Sequence, residues 1–461
     1  MSRFKMSTSW QELEHLLETE PDATYKRKES RRSPTRSLQD RFVYPLAVCD
    51  QLHVALRAHH HTSLDASKAV LHTLRYLFFT MRCGLYVRIH KGRVRDFVPF
   101  VNLEYENNWS HLLPDNMLEV YMRAKTILHG AEAVIPVHKW WANAGIFCNV
   151  LSSSEPWGQS FLGTYREMLD VVCATYQVPD VQFFLNKRDH PQLKRDLTEP
   201  YDFIWDDLNI PLTRERFDSY APIVGPYTSP AFSDVPWPVA EDWEAATRRL
   251  LTRVCKWEDK AAVAVWRGGA TGAGVSTETN ARLHLAELGW HFPAYVDAKL
   301  THWNVRDKKL FGHPINFIDP SEFPFSAGRH NYLSMEQQAK FKYVIYVAGH
   351  SAASRYSTLM RLGSVIFKVE DDPVITTAHN LWFFCMLRPW HDHVPVRHDL
   401  SDLLEKVDWC RNNDKECQRI VATAQLFCET FLCKEALVDY MQLALQNMAS
   451  CYAPSTTRPL Y

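Results

Sequence analysis

The sequence predicts an α/β protein organised around a parallel sheet, and three observations carry that expectation. From residue 261 onward, strand-like and helical segments alternate: "AAVAVW" (261–266), a helix over 279–288, "KYVIYVAG" (342–349), a helix over 354–362 and "SVIFKV" (364–369). These strands are near-continuous apolar runs, which suits a sheet covered on both faces by crossover helices. The chain has 461 residues, longer than one hydrophobic core usually organises, so two domains of roughly 200 residues each are expected.

In chain order, residues 1–40 are expected to form a flexible basic arm, because "TYKRKESRRSPTRSLQD" (24–40) is polar and almost free of large apolar residues. An acceptor-side α/β domain follows over 41–240. It opens with a helix carrying Val70, Leu74, Leu77 and Phe78 on one face. The segment "GLYVRIHKGRVRDFVPFV" (84–101) then reads as a hairpin turning at Lys91-Gly92, and "VQFFL" (181–185) as a further strand. "SYAPIVGPYTSPAFSDVPWPVAEDW" (219–243) contains five prolines, which exclude regular structure over most of its length and suggest a linker or cleft-lining loops. A helix with Trp243, Ala246, Leu250, Val254 and Trp257 on one face leads into the second domain, placed at 241–425. The final segment, 426–461, is expected as a C-terminal helix returning to the first domain, and its stripe Leu437, Met441, Leu445 and Met448 reads as core.

Composition narrows the function classes. The chain is 46% hydrophobic, 13% aromatic and 23% charged, with 52 basic against 53 acidic residues, an ordinary globular balance. It lacks the basic footprint of a phosphate-backbone binder, so no nucleic-acid partner is expected. The N-terminal "MSRFKMSTSWQELEHLLETE" has no apolar signal core, and the longest apolar segment, "AVLHTLRYLFFTM" (69–81), is interrupted by His72 and Arg75 and too short to span a bilayer. Eleven cysteines without a CxxC pair suit a reducing compartment. A cytoplasmic protein without a membrane span follows as the expectation.

Several short stretches carry chemistry. "WRGGATGAGVST" (266–277) joins a strand to a helix, where backbone N–H groups can receive phosphate. Gly274-Val275-Ser276 replaces the Gly-Lys-Ser/Thr of a P-loop, so the loop is either a diphosphate cradle with Arg267 and Thr271 or a plain turn. In "KFKYVIYVAGHSAASRYSTLMRLGSVIFKVE" (340–370), a buried strand ends at Gly349, small residues follow, and Arg355 enters the next helix. An arginine at a helix N-terminus is what a leaving diphosphate requires, although an ordinary surface arginine fits equally well. "NKRDHPQ" (186–192) holds Asp189 at a strand's end among Lys187, Arg188 and His190. Its carboxylate is either neutralised by those neighbours or held for proton transfer. "EDD" (370–372) at a strand end reads as a solvated loop more readily than as a metal pair, and "HHH" (59–61) and His391-x-His393 lack companion ligands at useful spacing, so no metal is expected.

Taken together and in order, "NKRDHPQ", "WRGGATG", "YVDAKLT", "KFKYVIYVAGHSAASRY", "GSVIFKVE" and "LRPWHDHVPVRHDLSDL" resemble the protein O-glucosyltransferase and capsule-associated protein group, glycosyltransferase family 90. The resemblance spans roughly residues 180–450. It implies a GT-B fold, in which two Rossmann-like domains face across a cleft. It also implies transfer of glucose or xylose from a UDP-sugar, with inversion, to a hydroxyl of a protein or glycan. Asp189 then matches the general base. Arg267, Gly268, Thr271 and Asp297 match the donor-binding stretches, Gly349, Ser351 and Arg355 the diphosphate segment, and Glu370 a group near the nucleoside. Single-displacement inversion needs one base and a cationic diphosphate site, with no covalent nucleophile and no cofactor. The family's usual His-Tyr after "PW" reads Asp392-His393 here, and "SAAS" carries fewer serines than is usual. An inactive sugar-nucleotide or glycan-binding protein of the same fold is therefore the alternative. Intracellular versions of the domain, including those of large DNA viruses, are the closer comparison.

Overall fold

The computed structural model describes residues 7–452 apart from 19–43, 58–65, 103–158, 201–210, 249–254, 373–379 and a few shorter gaps. It is a mixed α/β architecture with two five-stranded sheets. The first helix, α1 (Trp10–Glu18), lies inside the segment expected as an arm. Its apolar positions are spaced to make one face: Leu13 is buried and Trp10 packs on Phe78 and Phe79. The expectation of a free arm over the first 40 residues is corrected on that point, while "TYKRKESRRSPTRSLQD" falls outside the described residues, as does "HHH".

Helices α2 (Leu46–Arg57) and α3 (Ala66–Arg75) precede the first sheet, and α3 continues into a π-helical turn, Tyr76–Met81. The predicted hairpin forms as β1 (Cys83–His90) and β2 (Arg93–Val101), antiparallel, with a bulge between Arg88 and Ile89. Its two turn residues, Lys91 and Gly92, have φ of 51° and 68°, the left-handed pair that a tight hairpin requires. Helix α4 (Gln159–Thr175) leads to β3 (Val181–Leu185), which pairs antiparallel with β1. The proline-rich segment contributes two short strands, β4 (Ile223–Gly225) and β5 (Val235–Pro236), completing the order β2-β1-β3-β4-β5. Proline is tolerated there because Pro236 sits in the edge strand, where its missing N–H breaks no ladder.

Helix α5 (Ala240–Thr247) is shorter than its apolar stripe predicts. Arg248 is already extended at φ −115° and ψ 144°, Leu250 and Val254 lie outside the described residues, and Trp257 begins a 3-10 turn. Five parallel strands follow: β6 (Ala261–Gly269), β7 (Val296–His302), β8 (Phe341–Tyr346), β9 (Val365–Val369) and β10 (Val394–Val396), in the order β10-β9-β8-β6-β7. Helix α6 (Ala281–His291) connects β6 to β7. The predicted helix over 354–362 is a single turn, Tyr356–Leu359, with Arg355 at its cap position, so it supplies far less dipole than a full helix.

The sheet's apolar runs have a clear physical basis. Val344, Tyr346 and Ile366 face a core shared with the first sheet, while Tyr343, Ile345, Val365 and Phe367 face a second core on the opposite side. The last helices are α7 (Leu403–Asn412), α8 (Asp414–Phe431) and α9 (Lys434–Ser450). Helix α9 buries Leu437, Met441, Leu445 and Met448 in the shared core. From α9, Tyr440 Oη donates to Pro236 O at 2.7 Å and Gln442 Nε2 to Gln177 O at 3.3 Å. The stripe read as core is core.

Candidate active site

The order β10-β9-β8-β6-β7 places a topological switch between β6 and β8, since the chain leaves β6 toward β7 on one side and returns as β8 on the other. Loops at such a switch diverge and leave a crevice beyond the strands' carboxyl ends. A cavity of about 460 Å³ lies there, within the size range of ligand sites. Thr271 from the loop after β6, Gly349 and Ser351 from the loop after β8, and Glu370 after β9 all line it. Four of the residues expected to bind a donor therefore share one cavity.

Arg282, which sequence reasoning missed, builds that cavity. Asn280 caps α6 by accepting from Arg282 N at 3.0 Å and Leu283 N at 3.4 Å. The Arg282 side chain then reaches back under both loops. It donates from Nε to Ala348 O (2.9 Å), from Nη2 to Val347 O (3.0 Å), and from Nη1 to Gly269 O (3.2 Å) and Thr271 Oγ1 (2.5 Å). Burial, helped by the charge of Arg355, pulls its pKa down to about 9, which leaves it cationic at neutral pH. A cation in a helix's first turn runs against the dipole. That position, just after a glycine-rich loop, is the signal that marks it. Gly349 is small for the same reason: a Cβ there would lie 2.3 Å from Thr271 Oγ1 and 2.9 Å from Arg282 Cζ. Lys308 adds a further brace, donating from Nζ to Gly272 O at 2.8 Å.

Arg267 is engaged elsewhere. Its guanidinium donates to Trp266 O at 2.8 Å, Asp297 O at 2.5 Å and Asp297 Oδ2 at 2.7 Å, and only 5% of the residue is exposed. Arg267 and Asp297 thus form an ion pair joining β6 to β7, outside the cavity's lining. Gly268 makes room for the indole of Trp266, which would meet a Cβ there at 2.5 Å. Arg355 donates from Nη1 to Arg267 O at 2.6 Å, so it stands at the carboxyl end of β6.

Asp189 belongs to the other sheet. After β3, the buried Asn186 accepts from Arg188 N at 2.7 Å and donates from Nδ2 to His190 O at 2.7 Å. This closes the loop and turns Asp189 outward at its exposed apex. The Arg188 guanidinium reaches away to Met81 O at 2.6 Å.

The two sheets meet beside this loop. Thr228 and Asn380 exchange backbone hydrogen bonds of 2.9 and 2.6 Å, and Ser354 Oγ donates to Glu241 Oε1 at 2.9 Å. Tyr227 stands between them. Burial raises its phenol's pKa well above 10, and the charges of Asp189 and Glu241 push the same way, with Tyr346 also adjacent. Tyr346 in turn neighbours Arg355 and accepts from Ala353 N at 2.9 Å. Asp189 thus neighbours Tyr227, in the loop after β4, and Arg355 neighbours Tyr346, the last residue of β8.

Two other expected clusters have their own places. Asp371 and Asp372 line the cavity beside Glu370, but no group of three or more His, Cys, Asp or Glu among the described residues is arranged to hold a metal. The Asp392-His393 pair is buried: Asp392 Oδ1 meets His393 Nδ1 at 2.6 Å and Oδ2 accepts from Arg388 N at 2.8 Å. That pair shapes a turn before β10. No helix among the described residues is long and apolar enough to cross a membrane.

The model of glycosyl transferase family 90 matches residues 164–459. The chain is 31% identical over 445 residues to uncharacterized protein 179R of Invertebrate iridescent virus 6, covering 82% of this chain and 37% of the relative. It is 31% identical over 195 residues to protein O-glucosyltransferase 2 of Danio rerio, covering 42% and 33%. It is also 27% identical over 292 residues to protein O-glucosyltransferase 3 of Rattus norvegicus, covering 61% and 49%. The chain thus spans about half or less of the length of these relatives. With the switch-point cavity and the expected motifs in one match covering most of its length, the chain belongs to glycosyl transferase family 90.

Proposed function

We propose that this glycosyltransferase uses a UDP-sugar, glucose or xylose being the transferred group, and that Asp189 is its general base. The carrying observation is the pairing across the tyrosines: Asp189 at the apex of a closed loop on one side, and Arg355 tied to the end of β6 on the other. In this reading the two sheets belong to the two Rossmann-like halves of a GT-B enzyme, with the acceptor entering beside Asp189.

The carboxylate takes the proton from an acceptor hydroxyl as its oxygen attacks the anomeric carbon. The bond from that carbon to the diphosphate breaks on the opposite face, which inverts the centre. Arg355 faces the charge developing on the diphosphate. The cavity is acidic, with Glu278, Glu287, Glu370, Asp371, Asp372 and Asp399 in its wall. It therefore suits the hydroxyl and N–H donors of a neutral nucleoside, leaving the anionic diphosphate at the mouth near Arg355 and Ser351. An arginine in that place removes the need for a metal ion. The relatives named O-glucosyltransferases support glucose as the first donor to try. The acceptor is a protein or glycan hydroxyl, and the setting is cytoplasmic.

A donor screen by UDP release tests this reading. Turnover of UDP-glucose or UDP-xylose with a panel of hydroxyl acceptors is expected. The engagement of Arg267 by Asp297 favours one second reading, a protein that binds sugar nucleotides without transfer. Calorimetric UDP binding with no turnover on any donor is the outcome that selects it.

A further inference from the structure

One fully buried carboxylate, Asp234, has no part in the proposed reaction, yet it holds the chain just after Asp189. It lies before β5 with 0% of its surface exposed. Its Oδ1 accepts from Gln192 N at 2.9 Å, and its Oδ2 accepts from Leu193 N at 2.9 Å and Gln192 N at 3.0 Å. Asn186 stands next to it: a Cβ on Gly225 would lie 3.5 Å from Asn186 Nδ2 and 3.6 Å from Asp234 Oδ1. The Asn186 side chain is also hydrogen-bonded to Asp234. Asn186, 1% exposed, holds the loop at Arg188 and His190 while Asp234 holds it at Gln192 and Leu193. Two buried side chains in mutual contact therefore fix the chain on both sides of one exposed carboxylate.

We propose that Asp234 and Asn186 are positioning residues for Asp189, and that the loop is held in its working geometry by the ionised form of Asp234. The proposal rests on the reading of Asp189 as base. An ionised carboxylate is an acceptor at both oxygens, matching the donors that surround it: the N–H groups of Leu193 and Gln192, its own N–H, and the Asn186 amide. Protonation turns one oxygen into a donor facing donors, which loosens the loop. Burial outweighs those hydrogen bonds and raises the pKa from 3.8 to about 7, so this change falls near neutral pH.

The sign gives a distinguishing signature. Because the folded-state pKa is raised, the unfolded chain loses this proton first. The contribution of Asp234 to stability is then fully present below 3.8 and declines as pH rises to about 7. Lowering the pH through about 7 thus makes the fold more stable at this group while the base becomes less well placed. A residue with a purely structural role would not move turnover and stability in opposite directions.

The test is Asp234→Asn in the full chain, a permanently neutral form, with Asn186→Ser as companion. UDP-sugar turnover is followed from pH 5.5 to 9, with UDP binding and thermal unfolding measured in parallel. The expected result for Asp234→Asn is a fall in kcat of about tenfold to a hundredfold, the range set by small misplacements of a reacting group. UDP affinity should stay within about twofold, and the rise of kcat near pH 7 should vanish. Asn186→Ser should lower kcat similarly while keeping a rise with pH, and it carries the test if Asp234→Asn does not fold. Wild-type kcat and pH profile in Asp234→Asn, or in Asn186→Ser a wild-type kcat, overturns the proposal. If those variants behave as wild type while Asp189→Asn is inactive, only the positioning role fails. An active Asp189→Asn removes the base assignment itself.

Discussion

Replacing Arg282 by methionine keeps most of the side chain's bulk and removes every donor, so it isolates what the buried guanidinium does. Arg282 makes four hydrogen bonds, to Gly269 O, Thr271 Oγ1, Val347 O and Ala348 O. Hydrogen bonds from a charged donor contribute roughly 1.5–3 kcal/mol each, but they are not additive, and the lost desolvation cost of a buried cation offsets part of the sum. Losing the partner of three backbone carbonyls at once leaves a net destabilisation of about 3–5 kcal/mol, the range for breaking a buried charged network. Because the lost bonds hold the loops after β6 and β8, UDP affinity should fall at least about tenfold, or 1.4 kcal/mol. Arg282→Lys should fall between, since an ammonium cannot span acceptors on two strands in a fork. Urea unfolding and calorimetric UDP titration measure the two effects. An Arg282→Met protein within about 0.5 kcal/mol of wild-type stability and with unchanged UDP affinity refutes this account of the cradle.

Gly349→Ala places a methyl 2.3 Å from Thr271 Oγ1 and 2.9 Å from Arg282 Cζ. It should cost about 1–3 kcal/mol by overpacking and weaken UDP binding in the same titration. Lys260 donates to Ala339 O, Leu362 O and Ser364 Oγ, and burial lowers its pKa from 10.5 to about 8. The folded state therefore releases this proton before the unfolded chain does, so this group makes stability rise with pH between about 8 and 10.5. Urea midpoints across that interval should show the rise in wild type and its reduction in Lys260→Met. UDP-sugar turnover should persist in EDTA, and its complete loss there would point to a cation on the Glu370–Asp372 carboxylates.

Regular structure was legible where the pattern is local. The hairpin at Lys91-Gly92, the apolar runs of β6, β8 and β9, and the stripe of α9 each follow from periodicity within a few residues. Two strands inside the proline-rich segment were not legible, because β4 and β5 exist only by pairing with β3 and with each other. Thr271, Gly349 and Ser351 of the cavity could be named from their place in loops after strands, and Glu370 from the family resemblance. Arg282, which holds the loops around the cavity, could not be named so: it reaches back from a helix, whereas Arg267 turns to Asp297 on the neighbouring strand. The same limit hid Asn186 and Asp234. Asn186 reads as an ordinary strand-end residue, and Asp234 lies 42 and 41 residues beyond the Gln192 and Leu193 that it grips.

The central claim is that Asp189 removes the acceptor's proton, and Asp189→Asn tests it most directly. Asparagine keeps the shape of the exposed apex and cannot take up a proton. With the preferred UDP-sugar and its acceptor, the account predicts a loss of about a hundredfold to ten-thousandfold in kcat, the usual contribution of a positioned base, with UDP affinity unchanged. Turnover at the wild-type rate in Asp189→Asn contradicts it.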